Sequence, residues 1–186
     1  MVYKVGIIGG ETHFGEITQL QGKALEIMAA AVRPEQVEWA QETFGCRVFE
    51  NTENLLACKD LDLIFVANEN DRRAEAIVAV LGAGCDVIVD KPLAITMEQQ
   101  QQQIESILQR NSRRRLFMLL TLRGSPLYAG LRGILQENEI GSPAFTHVRM
   151  AVRLKRKQRP PWFLDVRRSG DCCSICLYTV WIRWNG

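Results

Sequence analysis

Residues 87–96 read VIVDKPLAIT. An acid, a lysine and a proline follow directly on three β-branched residues, Val87, Ile88 and Val89. In an open α/β sheet, ligands lie outside the carboxyl ends of the strands. Pro92 cannot continue a strand ladder, and it holds the residue before it extended. Lys91 is therefore expected at the rim of a cleft. An ammonium there can donate a hydrogen bond to a hydroxyl or carbonyl oxygen while hydride moves at the adjacent carbon. The plain alternative is a solvated lysine at a strand end, and the surrounding elements decide between the two.

A second candidate is the turn Gly9-Gly10-Glu11-Thr12-His13-Phe14-Gly15. Dinucleotide folds use G-x-G-x-x-G here, so that the backbone approaches a pyrophosphate at a helix N-terminus. Counted from Gly9, Glu11 holds the second glycine position and Phe14 the third. The spacing from Gly10 to Gly15 suits a P-loop, but Glu16-Ile17 stands where Lys-Ser/Thr is required. A mononucleotide P-loop is thus disfavoured, and position in the first βα unit points Gly9 and Gly10 to dinucleotide binding. A third candidate is Arg33, in Ala31-Val32-Arg33-Pro34. NAD enzymes place an acid at the end of the second strand to hold ribose hydroxyls. Here no acid is present, and Arg33 stands where a 2′-phosphate would lie, which favours NADP over NAD.

The elements that must position these residues are legible as apolar runs at 3–9, 25–32, 46–49, 61–67, 86–89 and 115–121. Runs this apolar suit strands covered on both faces. Between them, Pro34 opens a helix carrying Val37, Ala40 and Phe44, and Gly45 stops it. Thr52 is expected to cap a short helix bearing Leu55 and Leu56. Ala74, Ile77, Val78 and Leu81 recur at helical spacing, ended by Gly82 and Gly84. Thr96-Met97-Glu98-Gln99 has capping-box form, and the glutamines Gln99–Gln103 are read as the solvated side of an amphipathic helix. Alternating strands and helices imply right-handed βαβ units. The fold expected is α/β, a Rossmann-like doubly wound parallel sheet followed by an incomplete α+β second domain. The boundary falls near Thr121, giving 1–121 and 122–186. In the second part, Ser125-Pro126 opens a helix with Leu127, Leu131, Ile134 and Leu135 on one face. Residues 144–152 alternate as a strand wet on one side.

Bulk composition narrows the class further. The 186 residues are 47% hydrophobic and 24% charged, with net charge +2. That is an ordinary globular balance, too weakly basic to imply nucleic acid. RLKRKQR (153–159) has no interleaved aromatic residue and is read as a solvated loop. No apolar run is long enough for a membrane span. Strand-like sequence begins at Tyr3, so no signal peptide is expected. Cys46, Cys58 and Cys85 are scattered and read as reduced thiols of a cytoplasmic protein. Cys172, Cys173 and Cys176 invite a metal reading, but a closed zinc site needs four ligands, and His13 and His147 are distant. No metal is expected.

The segment AEAIVAVLGAGCDVIVDKPLAIT (74–96) resembles the glucose–fructose oxidoreductase, inositol dehydrogenase and MocA (Gfo/Idh/MocA) family. The hallmark of that family is Glu-Lys-Pro after a buried strand, preceded by an alanine-rich helix and an Ala-Gly pair. Asp90 replaces the glutamate. VGIIG (5–9), Arg123-Gly124-Ser125-Pro126, Glu139-Ile140-Gly141, Trp162-Phe163-Leu164-Asp165 and Ser169-Gly170 are also similar, so the resemblance covers about 170 residues. Of the family's Pro, Asn and His after the fourth strand, only Asn70 matches, and Arg73 stands where the histidine would fall. The final DCCSICLYTVWIRWNG departs from the family's later aspartate and histidine.

The resemblance implies an NAD(P)-dependent oxidoreductase acting on a sugar, a polyol or a related hydroxy compound. Lys91 is the catalytic candidate. Gly9, Gly10, Arg33, Asn70, Lys91 and Pro92 are the cofactor-binding candidates, with NADP as cofactor and NAD as the alternative. The departing tail raises a rival expectation: a shortened chain without a complete active site, acting as a cofactor-binding remnant or a sensor. The apolar face of Ile134 and Leu135, with Trp181 and Trp184, predicts self-association. No nucleic-acid or membrane partner is expected.

Overall fold

The computed structural model describes residues 2–10, 14–145, 147, 149 and 155–170. Six parallel strands form one sheet: β1 (Tyr3–Ile8), β2 (Leu25–Ala31), β3 (Arg47–Phe49), β4 (Leu63–Val66), β5 (Asp86–Asp90) and β6 (Leu116–Leu119). All six fall on the expected apolar runs. Their order is β3-β2-β1-β4-β5-β6, so the winding reverses between β1 and β4. That reversal opens a crevice at the carboxyl ends of the two strands.

Alternation along the central strands divides the core into two layers. Ile64 and Val66 face one side with Val87 and Val89, where α3 (Thr52–Leu56), α4 (Asn70–Gly82) and α5 (Ser106–Arg110) supply Leu55, Ile77 and partly buried Leu108. Phe65 and Ala67 face the other side with Val5 and Ile7, against Ile17 of α1 (Phe14–Thr18) and Ala40 and Phe44 of α2 (Val37–Phe44). Side chains of period two reach opposite layers, so a β-branched or aromatic residue is useful at every position.

Local details depart from the sequence expectations in three places. Asn51, not Thr52, caps α3, its side-chain oxygen accepting from the Asn54 amide at 2.9 Å. The Thr96 hydroxyl accepts from the Gln99 amide as expected, but the Gln99 side chain reaches back to the Ile95 amide instead of Thr96's own. The helix it opens is π-type over Gln99–Glu105, with Ile104 turned into the core. Third, the described residues of 144–152 (144, 145, 147 and 149) are not in a strand.

Past β6, a short turn leads through the Ser125 cap and Pro126 into α6 (Pro126–Gln136), as the sequence suggested. None of its residues is buried, and Leu127, Leu131 and Ile134 stand exposed on the expected apolar face. Phe117 on the edge strand β6 is exposed too. The tail carrying Trp181 and Trp184, and the cysteines at 172, 173 and 176, lie outside the described residues.

Ile77 is fully buried, so Ile77→Ala should lower stability by about 2–5 kcal/mol through lost contacts and the cavity left behind. Leu127→Ser, on the exposed face of α6, should change it by no more than about 0.5 kcal/mol. Urea unfolding of both variants measures the contrast.

Candidate functional site

The site begins with Arg73. It lies in the first turns of α4, on the same face as Ile77 and Val80, and its side chain is fully buried. Its Nη1 donates to the Lys91 carbonyl at 2.9 Å and the Pro92 carbonyl at 3.1 Å, and Nη2 donates to the Asn68 carbonyl. One planar cation therefore ties the end of β4 to the loop after β5. Burial pulls its pKa down to about 10, while the charges of Asp90, Glu69 and Asp71 pull it back up. It remains a cation at neutral pH. From sequence, Arg73 stands out only as the residue where the family's histidine would fall. Its spacing of four from Ile77 marks the buried face and could have revealed it.

Asp90 is buried beside this clamp, and its Oδ1 accepts from the Lys91 amide at 2.8 Å. The Lys91–Pro92 peptide is cis, and Pro92 is buried. Lys91 itself is half-buried, at the carboxyl end of β5 as expected.

A cavity of about 500 Å³ lies over the crevice, bounded by the ends of β1, β2 and β4 and by α3 and α4. Gly9, Arg33, Asn68, Glu69 and Arg72 line it; Gly10, Asn70, Lys91 and Pro92 do not. The candidate residues thus fall into two groups, one in this cavity and one along the neighbouring strand end.

Gly9 has φ +82°, and a Cβ there would stand 2.6 Å from the Asn68 Cα. A Cβ on Gly10 would stand 2.3 Å from the Trp39 ring. Both glycines are required by the protein's own close packing, which the spacing of the loop alone did not reveal. Residues 11–13, with Glu11 and His13, are outside the described residues, and the helix that follows has only five residues. The Asn68 side-chain oxygen is buried at the cavity edge with no hydrogen-bond partner among the described residues.

Arg33 is partly exposed and engaged by acids. Its Nη1 lies 3.0 Å from Glu35 and its Nε 3.6 Å from Glu69. Glu69 is buried and is the N-cap residue of α4, far from Arg33 in sequence, so no local sequence pattern foretells this contact. Glu69 also lies 3.9 Å from Arg168, which donates to Asp71 at 2.8 Å.

Arg168 belongs to α7 (Val166–Ser169), which follows a short turn carrying buried Trp162. This strap docks on the N-terminus of α4. Asn70, expected at the cofactor, donates its side-chain amide to the Ser169 carbonyl at 2.6 Å. Gly170, with φ +78°, rests against Ile95 in the loop beyond Pro92.

The cavity fits the adenosine half of a dinucleotide. It sits at the reversal of strand order, its glycine floor brings in backbone, and arginines stand at its wall. Residues 3–118 match the oxidoreductase family with an NAD-binding Rossmann fold. The chain is 25% identical over 155 residues to the inositol 2-dehydrogenase of Salmonella typhimurium, covering 80% of this chain and 46% of that protein. It is 26% identical over 174 residues to the 1,5-anhydro-D-fructose reductase of Ensifer adhaerens, covering 89% and 50%. The chain thus spans about half the length of the curated relatives it matches. Among solved structures, scyllo-inositol dehydrogenase from Lactobacillus casei, with bound NAD(H) and scyllo-inositol, has the same fold at TM-score 0.67 and 20% identity, over 76% of this chain and 43% of that one. A 3-ketoreductase from Actinomadura kijaniata in complex with TDP-benzene and NADP superposes with TM-score 0.64 at 24% identity, over 76% and 45%.

Removing the clamp should be costly. Arg73→Met would leave Asp90 buried without its cation and three carbonyls without a donor. The expected loss is about 3–5 kcal/mol, the usual penalty for breaking a buried charged contact from one side, and it is read from the urea midpoint.

Proposed function

The chain belongs to the Gfo/Idh/MocA oxidoreductase family, with its NAD-binding Rossmann fold, and we propose on that footing that it is an NAD(P)-dependent oxidoreductase acting on a sugar, a polyol or a related hydroxy compound. The observation that carries the proposal is the clamped Lys91 at the end of β5, one strand from the crevice where the winding reverses. Residues 1–121 are the cofactor domain in this reading, and 122–186 belong to the substrate domain.

A bound nicotinamide supplies the hydride acceptor or donor. The chain's own part is orientation. Lys91 donates a hydrogen bond to the reacting oxygen, and Arg73, through the Lys91 carbonyl, limits where that ammonium can stand. Gly9 and Gly10 give the backbone approach at the crevice, Pro92 fixes the loop, and Asn70 acts on the site by seating the strap. Arg33 meets the adenosine ribose, which favours NADP. A specific observation supports NAD as a second reading: Glu35 and Glu69 both approach Arg33 and could accept from ribose hydroxyls.

Fluorescence titration with NADPH and NADH separates the two readings. Tighter NADPH binding that is lost in Arg33→Ala supports NADP. Tighter NADH binding, weakened by Glu35→Gln, supports NAD. Binding of either cofactor without hydride transfer to any of a panel of sugars and polyols identifies a cofactor binder without turnover.

For Lys91, the expectation is a kinetic effect without a structural one. Lys91→Met should reduce kcat by about 10²-fold, the usual scale for a positioned proton donor, with little change in Tm. Unaltered kinetics would return Lys91 to a solvated strand-end residue.

A further inference from the structure

Glu69 stands between two guanidinium groups that belong to different parts of the chain. Arg33 is on the cavity wall at the end of β2, and Arg168 is on the strap nearly a hundred residues beyond Glu69. The same carboxylate oxygen, Oε1, lies 3.6 Å from Arg33 Nε and 3.9 Å from Arg168 Nη2. The Glu69 side chain is only 7% exposed and lines the cavity. Its negative charge is therefore poorly screened by water at the point where a cofactor's 2′ substituent would meet Arg33.

The two cofactors differ at that substituent. A 2′-hydroxyl can donate a hydrogen bond to a carboxylate. A 2′-phosphate has only acceptors and brings up to two negative charges, so it competes with Glu69 for Arg33 and is repelled by it. That repulsion falls when Glu69 is neutralised from its other side. Arg168 is placed to do this, and its hydrogen bond to Asp71 at 2.8 Å and the Asn70 bond to the Ser169 carbonyl hold it there.

We propose that Glu69 is a specificity-determining residue for the cofactor's 2′ group, and that Arg168 is a positioning residue which makes a 2′-phosphate tolerable by neutralising Glu69. The proposal rests on the reading that Arg33 meets the adenosine ribose. By linkage, whatever the docked strap does for phosphate affinity, phosphate does equally for strap docking. NADPH binding therefore tightens the strap, and NADH binding does so much less.

The test is a double-mutant cycle on the full chain, with Kd for NADPH and NADH measured in each variant. Arg168→Gln should weaken NADPH by about fivefold or more and NADH by less than twofold, a differential within the usual range of coupling between sites. Arg168→Lys should restore much of the loss. In the Glu69→Gln background, Arg168→Gln should no longer separate the two cofactors. Hydrogen exchange provides a readout that a merely structural role would not move. Amides of Arg168, Ser169 and Gly170, bonded within the strap, should be protected more by NADPH than by NADH, and Arg33→Ala should abolish the difference. Equal weakening of both cofactors by Arg168→Gln, or an NADPH/NADH ratio unchanged across the cycle, overturns the inference and leaves the proposed function standing. Failure to bind either cofactor overturns both.

Discussion

A guanidinium with no solvent exposure is the constraint on which the rest of the site depends. Taking a cation out of water costs several kcal/mol even after relaxation, and Arg73 offsets that cost through the bonds of its two terminal nitrogens, while its Nε is buried with no hydrogen-bond partner among the described residues. Its donors reach the backbone of two separate strand ends, and Asp90, Glu69 and Asp71 supply opposing charge. The geometry is strict because the fork of an arginine is planar and its donors are fixed relative to one another. The Asn68, Lys91 and Pro92 carbonyls must therefore keep their mutual positions or leave donors unpaired. Lys91 inherits its backbone position from this arrangement.

The same small region receives the strap. Asn70, Asp71 and Glu69 sit at or just before the start of α4, and each contacts the residues around Arg168 and Ser169. One helix start thus joins three things: the crevice at the reversal of strand order, the loop that carries Lys91, and a segment from far along the chain. These contacts are polar and partly exposed on the strap side, whereas the clamp beneath them is buried. Local opening of the strap should therefore come at lower free energy than disruption of the clamp. The loop of Lys91 thus rests on a buried clamp, and the more exposed strap lies beside it.

The sheet was legible because its signal is dense. Six apolar runs appear in the sequence, and the strands occupy all six, since a strand covered on both faces needs an apolar residue at almost every position. The position of Lys91 was legible for a related reason: a proline ends a ladder wherever it occurs. The polar machinery was less visible. Arg33 could be placed at the end of β2, but its partner Glu69 stands at the N-cap of α4, and a contact between two such distant loops has no local periodicity. Arg73 carried a helical signal through Ile77, yet an arginine in the charged run Asp71-Arg72-Arg73 reads most simply as part of a solvated face. The Asn51 cap was missed because Asn and Thr are both competent caps, and only backbone geometry chooses between neighbours. The glycines of the first turn were recognised by position, but the need for them comes from Asn68 and Trp39, which only the folded chain brings near.

The central claim is that the clamp holds Lys91 where it meets a bound nicotinamide. It is tested most directly by isotope-filtered nuclear Overhauser measurements on lysine-labelled protein saturated with cofactor, with Lys91 assigned from its Lys91→Met variant. The account predicts cross-peaks between the nicotinamide ring protons and the Lys91 side-chain methylenes. Saturated cofactor whose nicotinamide protons show contacts to other residues and none to Lys91 would contradict it.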